Sequence, residues 1–410
     1  MPTAPAPQRL EAGTDGYRRA NLAMFVAGFA CFAMLYGTQP MLPLLVEYFD
    51  VSPATASLSV SAGTIALAAM LIPASLLSDR FGRQRVMRWS LVAAAVFATL
   101  SALVTDFAQL LVLRGLLGLA IAGVPAAAMA YLGEEIAPNA QGRAMGLYIA
   151  GNAFGGMSGR VVSAALADFG DWRIALAGLG LLGVLAAMLF WRNLPPSHNF
   201  RVRSLALSAL WRDVGAIYSD RGLPWLFVTA FLLMGAFVGF YNFLGFRLVA
   251  APFELAPVWI GAIFLTYMIG SAASAWAGRL ADRYGRRNVL WAMTAIALAG
   301  LLTTLLDHLW PIALGLALFT FGFFGAHSIA SGWVGRRAGE RRALGAAIYL
   351  SSYYLGGSIV GSATGLAWAA HAWPGVVGLL TACIIAVLLV SLRLRTIAPT
   401  QAAEPVLAAA

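Results

Sequence analysis

Long apolar stretches alternate with short polar ones along the whole chain. They fall at about 22–46, 57–78, 87–105, 108–131, 145–167 and 174–191, then at about 224–247, 257–278, 289–306, 310–332, 344–368 and 375–393. Runs of roughly 18–25 residues are long enough to cross a hydrocarbon core of about 30 Å as helices. A helix satisfies its own backbone hydrogen bonds, so it can sit in lipid. The pattern predicts an all-α membrane protein with twelve transmembrane helices. Its organisation is a tail (1–21), a six-helix bundle (22–191), a linker (192–223), a second six-helix bundle (224–393) and a final tail (394–410).

The polar connections differ in charge. Arg9, Arg18, Arg19, Arg80, Arg83, Arg85, Arg88 and Arg143 fall on one side. The linker arginines, the clusters from Arg279 to Arg287 and from Arg336 to Arg342, and Arg393 and Arg395 fall on the same side. The other side carries only Arg173 and Arg247. Because basic loops stay in the cytoplasm, both termini are expected there. Within the linker, 201–217 mixes leucines with charges and reads as an amphipathic helix on the membrane surface, or as a plain tether.

Composition sharpens the class. Of 410 residues, 60% are hydrophobic and 11% charged, and the mean hydropathy is +0.80. A soluble domain carries about a quarter charged residues. The net charge of +10 comes from arginines scattered between apolar runs, without a lysine, so it builds no face for nucleic acid. Cys31 and Cys383 lie inside apolar runs and suggest neither a disulfide framework nor a metal site. The polar start leads into a full-length span, so no cleavable signal peptide is expected.

The two halves repeat at an offset of about 201–203 residues. The run from Ser75 to Arg83 aligns with that from Gly278 to Arg286, Tyr148 with Tyr349, Gly155-Gly156 with Gly356-Gly357, and Trp172 with Trp373. On these residues the chain resembles the major facilitator superfamily, whose signature between spans two and three is G-x-L-A-D-R-x-G-R followed by Arg or Lys. The second copy, Gly278 to Arg287, fits fully; the first has Ser75 in place of glycine. Within the superfamily the chain looks closest to the drug:proton antiporter branch. The stretches Gly151 to Arg160 and Tyr353 to Gly356 resemble the YnfM-type bacterial inner-membrane transport proteins, a subgroup described as efflux permeases. The resemblance implies a monomer in a bacterial inner membrane, without a cofactor.

It also implies roles for the loop motif. Asp79, with Arg80, Gly82 and Arg83, would face the start of span eleven near Arg341 and Arg342. Asp282, with Arg283, Gly285 and Arg286, would face the start of span five near Arg143. Such contacts would form a cytoplasmic gate that breaks when the site opens inward; the alternative is a topology signal alone. A carboxylate there meets the positive end of a neighbouring helix, and Gly82 and Gly285 permit the tight turn. Gly151, Gly155 and Gly159 share one face of span five, and Gly357, Gly361 and Gly365 one face of span eleven, a spacing that lets helices approach closely. Asn152 stands where antiporters of the family carry proline, so the glycine stripe leaves direction open.

Buried arginines are the sharpest clue. Arg160 lies about fifteen residues into span five, roughly 22 Å up a 30 Å core. Arg114 lies in the outer half of span four and, with Gly118, resembles a family motif tied to proton coupling, although Leu117 replaces its glutamine. A charge at such depth faces a wet cavity or a partner, yet no Asp or Glu falls near the middle of any span. Each arginine therefore either bonds to carbonyls or draws in an anionic substrate. His327 is a candidate proton carrier or a packed histidine. Tyr36, Gln39, Asn152, Tyr241, Asn242 and Tyr353 are candidate cavity residues or core.

The leading expectation is a secondary transporter working by alternating access, most simply proton-coupled efflux of a small organic compound. Uptake or exchange of an organic anion is the alternative. There is no G-x-x-x-x-G-K-S/T sequence to bind a nucleotide. With no clustered His, Asp or Glu ligands and no nucleophile elbow, an enzyme or a sensor is remote.

Overall fold

The computed structural model describes residues 9–200 and 207–397. They form helices joined by short turns, with one isolated β-bridge between Leu10 and Ile136. The first half comprises α1 (Asp15–Phe49), α2 (Pro53–Phe81), α3 (Arg83–Leu103), α4 (Phe107–Glu135), α5 (Pro138–Phe169) and α6 (Trp172–Asn193). A linker helix, Leu207–Tyr218, follows. The second half comprises α7 (Leu223–Val249), α8 (Pro257–Tyr284), α9 (Arg286–Thr303), α10 (Leu309–Arg337), α11 (342–370) and α12 (373–396).

Among the described residues, nine helical elements are long and apolar enough to cross a membrane. The last of them is two helices, separated where His371 and Ala372 leave helical geometry ahead of Pro374. With α5 and α9 the set is consistent with twelve crossings. The helices outrun the apolar runs because polar residues cap them. Thr14 accepts from the Tyr17 amide, Ser52 from Thr55, Asp106 from Gln109, and Asp171 from Arg173 and Ile174. The predicted amphipathic helix at 201–217 overlaps the linker helix from Leu207 onward; its first six residues lie outside the described residues.

α1 is not continuous. Its regular helix ends at Tyr36, a 3-10 turn covers Gln39–Met41, and the helix resumes at Leu42. Pro40 and Pro43 have no amide hydrogen to continue the ladder. The break presents Gln39 at the junction of the two halves.

In each half a glycine lets two helices touch. A side chain on Gly155 would strike the Phe29 backbone of α1, and one on Gly356 would strike the Phe231 backbone of α7. Gly151 and Gly159 extend the first crossing along Phe25 and Ala33, while Gly357 and Gly361 pack on Met234 and Val238. Gly365 does something else: it meets Ala54 of α2, in the opposite half.

The halves meet along α2–α11, α5–α8 and α1–α7. Between α2 and α11, Ser61 donates to the Ser358 carbonyl (3.2 Å), Ser362 donates to Ser61 (2.7 Å), Thr64 pairs with Ser358 (2.7 Å), and Ser351 donates to the Ala68 carbonyl (3.4 Å). Beyond Ala68 and Ser351, towards the face carrying the linker, no hydrogen bond or ion pair joins the halves among the described residues. The polar contacts between α2 and α11 therefore lie from Ser351 outward, at the end away from the linker.

Candidate functional site

Arg160 sits where the halves meet, and it is 3% exposed. Its Nε donates to Gln39 Oε1 (2.6 Å) and its Nη1 to the Gly156 carbonyl (2.5 Å). Gln39 Nε2 in turn donates to Asn242 Oδ1 of α7 (2.7 Å). The guanidinium is caged by three rings: Tyr36 at 4.2 Å, Phe264 at 4.9 Å and Tyr267 at 5.1 Å. One ring comes from the first half and two from the second. Cation–π contacts of this kind are worth more when desolvated, about 2 kcal/mol. The cluster is a cross-half clasp built around a cation, and no carboxylate contacts that cation among the described residues. Arg160 Nη2 makes no hydrogen bond there either.

Other polar atoms nearby lack partners. Tyr36 Oη, Asn242 Nδ2 and Asn152 Oδ1 are buried without a hydrogen bond among the described residues. A buried unsatisfied polar atom costs about 1–3 kcal/mol, so these are positions where a ligand or water would be favourable. Asn152 is wedged against Gly28 of α1 beside Tyr148, inside the first half. A cavity of about 160 Å³ adjoins Tyr267, lined by Ala153, Phe154 and Met157 of α5 and by Met268 and Ser271 of α8.

The second half surrounds this region with aromatics. Tyr241 bonds to the hydroxyls of Thr266 (2.8 Å) and Thr320 (2.7 Å) and stacks on Phe264. Phe237 stacks on Phe323 at 3.8 Å between ring centroids. His327 Nδ1 lies 3.0 Å from Tyr349 Oη, and its ring lies 4.6 Å from that of Tyr353. His327 and Tyr353 thus belong to one α10–α11 cluster, which joins the Arg160 cage through Phe323, Phe237 and Tyr267.

Arg114 takes the first of its two expected roles. It is 1% exposed, and its donors go to the carbonyls of Ser59 (3.0 Å), Met34 (2.8 Å) and Leu35. Two of these carbonyls end the regular part of α1, where the helix dipole is negative. The break in α1 consumes Arg114 and leaves Arg160 to face the junction.

The loop motif departs from the expected contacts. Asp79 pairs with Arg83 of its own half, and Arg83 also reaches Glu134 (3.1 Å) and Ser78 (2.9 Å). Asp282 lies 3.8 Å from Arg286 and 3.9 Å from Arg336. Arg341 pairs with Asp213 of the linker helix (2.9 Å). Neither aspartate reaches across the halves among the described residues. Each carboxylate instead faces arginines of its own half, Arg83 for Asp79 and Arg286 with Arg336 for Asp282. Gly82 and Gly285 take φ of 96° and 82°, a conformation glycine adopts without strain. Arg80 and Arg283 lie over the neighbouring rings of Phe81 and Tyr284.

Several participants were not singled out from the sequence. Phe264 and Tyr267 cage Arg160. Arg247 is 7% exposed and holds Asp307 (2.9 Å) and the carbonyls of Leu306 (3.1 Å) and Thr304. Glu135 is 1% exposed and accepts from Ser197 (2.6 Å) and from the amides of His198 (3.1 Å) and Asn199 (3.0 Å).

Two pseudo-equivalent helical halves thus meet at a buried polar cluster. The family model for the Major Facilitator Superfamily matches residues 24–271. The chain is 43% identical to the inner membrane transport protein YnfM of Escherichia coli, over 94% of this chain and 93% of that one. It is 42% identical to the uncharacterised MFS-type transporter YybF of Bacillus subtilis, over 92% and 94%. A bacterial homologue of the lysosomal transporter Spinster, solved inward-facing and occupied, superposes with a TM-score of 0.77 at 15% identity, covering 93% of this chain and 97% of that one. The chain belongs to the major facilitator superfamily and is a multi-pass membrane transporter.

Proposed function

We propose that this transporter moves a small organic anion by alternating access, with Arg160 as the group that holds the anion. The observation that carries the reading is a buried guanidinium at the junction of the halves, bonded to neutral partners and rings. An anion arriving there would gain charge-assisted hydrogen bonds in a low-dielectric setting. It would also complete Tyr36 and Asn242. Basic loops on the linker face support placing that face, with both termini, in the cytoplasm, and the position of the α2–α11 hydrogen bonds away from it supports an inward-facing reading. The protein is read as a monomer of the bacterial inner membrane.

The test is flux in proteoliposomes loaded with panels of anionic, neutral and cationic compounds. Anion flux is expected in the wild type and a loss of about 30-fold or more in Arg160→Ala, the scale for stripping a buried charge of its partner. Full flux of cations with Arg160→Ala unaffected would overturn the reading.

A second reading, proton-coupled efflux, rests on His327 beside Tyr349 and Tyr353. It requires proton movement, read with an interior pH dye, that accompanies substrate and disappears in His327→Ala.

A further inference from the structure

A pocket on the linker face lies away from the Arg160 clasp, where the start of α7 meets the ends of α10 and α12. It has a volume of about 620 Å³ and is lined by Asp220, Arg221, Trp225, Arg337, Arg393 and Thr396 among others. The charges are unequal. Arg337 Nε donates to Asp220 Oδ1 (2.5 Å), and the same oxygen accepts from the amides of Gly222 and Leu223 (2.7 Å each). Asp220 is therefore already neutralised. Arg393 makes only a long bond to Thr396 (3.4 Å), and Arg221 is exposed without an ion pair among the described residues. Three guanidinium groups face one carboxylate.

The surface next to the pocket is apolar. Trp225, in the first turn of α7, is 39% exposed, and Val228 beyond it is 40% exposed. On α12, Leu389 lies one turn deeper than Arg393 and is 61% exposed. Arg393 thus stands above exposed hydrocarbon on its own helix face, and Arg221, in the bend two residues before α7, lines the same pocket as Trp225. A guanidinium fork suits a phosphate oxygen pair, tryptophan favours the membrane boundary, and basic pockets between helix ends hold acidic lipid headgroups.

We infer that this pocket is a binding site for an anionic phospholipid, with the phosphate between Arg221 and Arg393 and an acyl chain along Trp225 and Leu389. A soluble phosphate would share the headgroup chemistry but leave the apolar strip unused.

Native mass spectrometry of the full chain tests this, using phosphatidylglycerol, phosphatidylcholine and glycerol phosphate as separate probes. Phosphatidylglycerol adducts are expected to persist where phosphatidylcholine adducts do not. The Arg221→Gln/Arg393→Gln pair should lose about tenfold in that preference. Arg221→Lys/Arg393→Lys, which keeps the charge, should retain part of it. If the glutamine pair does not elute as a folded species, each single change is read the same way. Equal phosphatidylglycerol retention by wild type and glutamine variants would overturn the site. So would glycerol phosphate binding as tightly as the lipid, which would make the occupant soluble.

Discussion

Gly155 and Gly356 occupy equivalent positions in the two halves, each pressed against a phenylalanine carbonyl on the first helix of its own half, Phe29 and Phe231. Neither position has room for a Cβ. Gly155→Ala and Gly356→Ala should each lower thermal stability, by the roughly 1–3 kcal/mol of an overpacked core. Gly278→Ala, where a Cβ would meet nothing within 4 Å, should change little. Detergent-solubilised melting curves of the three variants check this. Equal melting temperatures would mean that the crossings relax freely.

The two copies of the loop motif should respond differently to loss of their arginine. Arg83 is 3% exposed between Asp79 and Glu134, so Arg83→Ala strands two carboxylates. That change should cost about 3–5 kcal/mol. Arg286 faces an Asp282 that is 71% exposed, so Arg286→Ala should cost under about 1 kcal/mol. Chemical unfolding of both variants decides between this asymmetry and two equivalent motifs.

The Gln39–Asn242 bond should bias the conformational equilibrium. Gln39→Ala removes the hydrogen-bonded bridge from Arg160 to the second half while leaving the ring cage. Spin labels at Phe169 and Trp310, which are 92% and 86% exposed on opposite halves, would report the separation at the end away from the linker. Cys31 and Cys383 are replaced by alanine for this. A shift towards longer distances is expected; an unchanged distribution would assign the closure to the aromatic cage and the α2–α11 contacts alone.

Asp220 should give an acid-range signature. Burial alone would raise its pKa, but the hydrogen bond from Arg337 and those from the Leu223 and Gly222 amides outweigh it and hold the carboxyl below its ordinary value. A depressed folded-state pKa stabilises the fold above the unfolded value of about 3.9 and loses that contribution as pH falls through the folded one. Asp220→Asn should therefore melt lower than wild type by a constant margin from about pH 5 to 8. The margin should shrink once pH drops below about 4. A margin that grew on acidification would contradict the assignment.

Much of the fold was legible because hydropathy and repeats are properties of the chain itself. Apolar runs marked the spans, and the offset between Tyr148 and Tyr349 marked the halves. Arg160 stood out because a charge at that depth is costly wherever it points. What it points at was hidden. Gln39 and Asn242 are 203 positions apart, and Phe264 and Tyr267 resemble every other aromatic in an apolar run. Arg114 and Arg160 look alike as sequence; only the break in α1 separates a cation bonded to carbonyls alone from one that also meets Gln39 and three rings. The partner of Asp79 was also out of reach, since charge alone does not choose between Arg83 of its own half and the arginines at the start of α11.

The linker is fastened at both ends. Tyr131 donates to the Pro195 carbonyl and Glu135 gathers 197–199 onto α4, while Asp213 ties the linker helix to Arg341 beside α11. Seven peptide steps separate Phe200 from Leu207. Fully drawn out, that many steps reach at most about 25 Å. The tether between the halves is thus a short leash, and its length caps how widely this face can swing apart in each transport cycle while both fastenings hold.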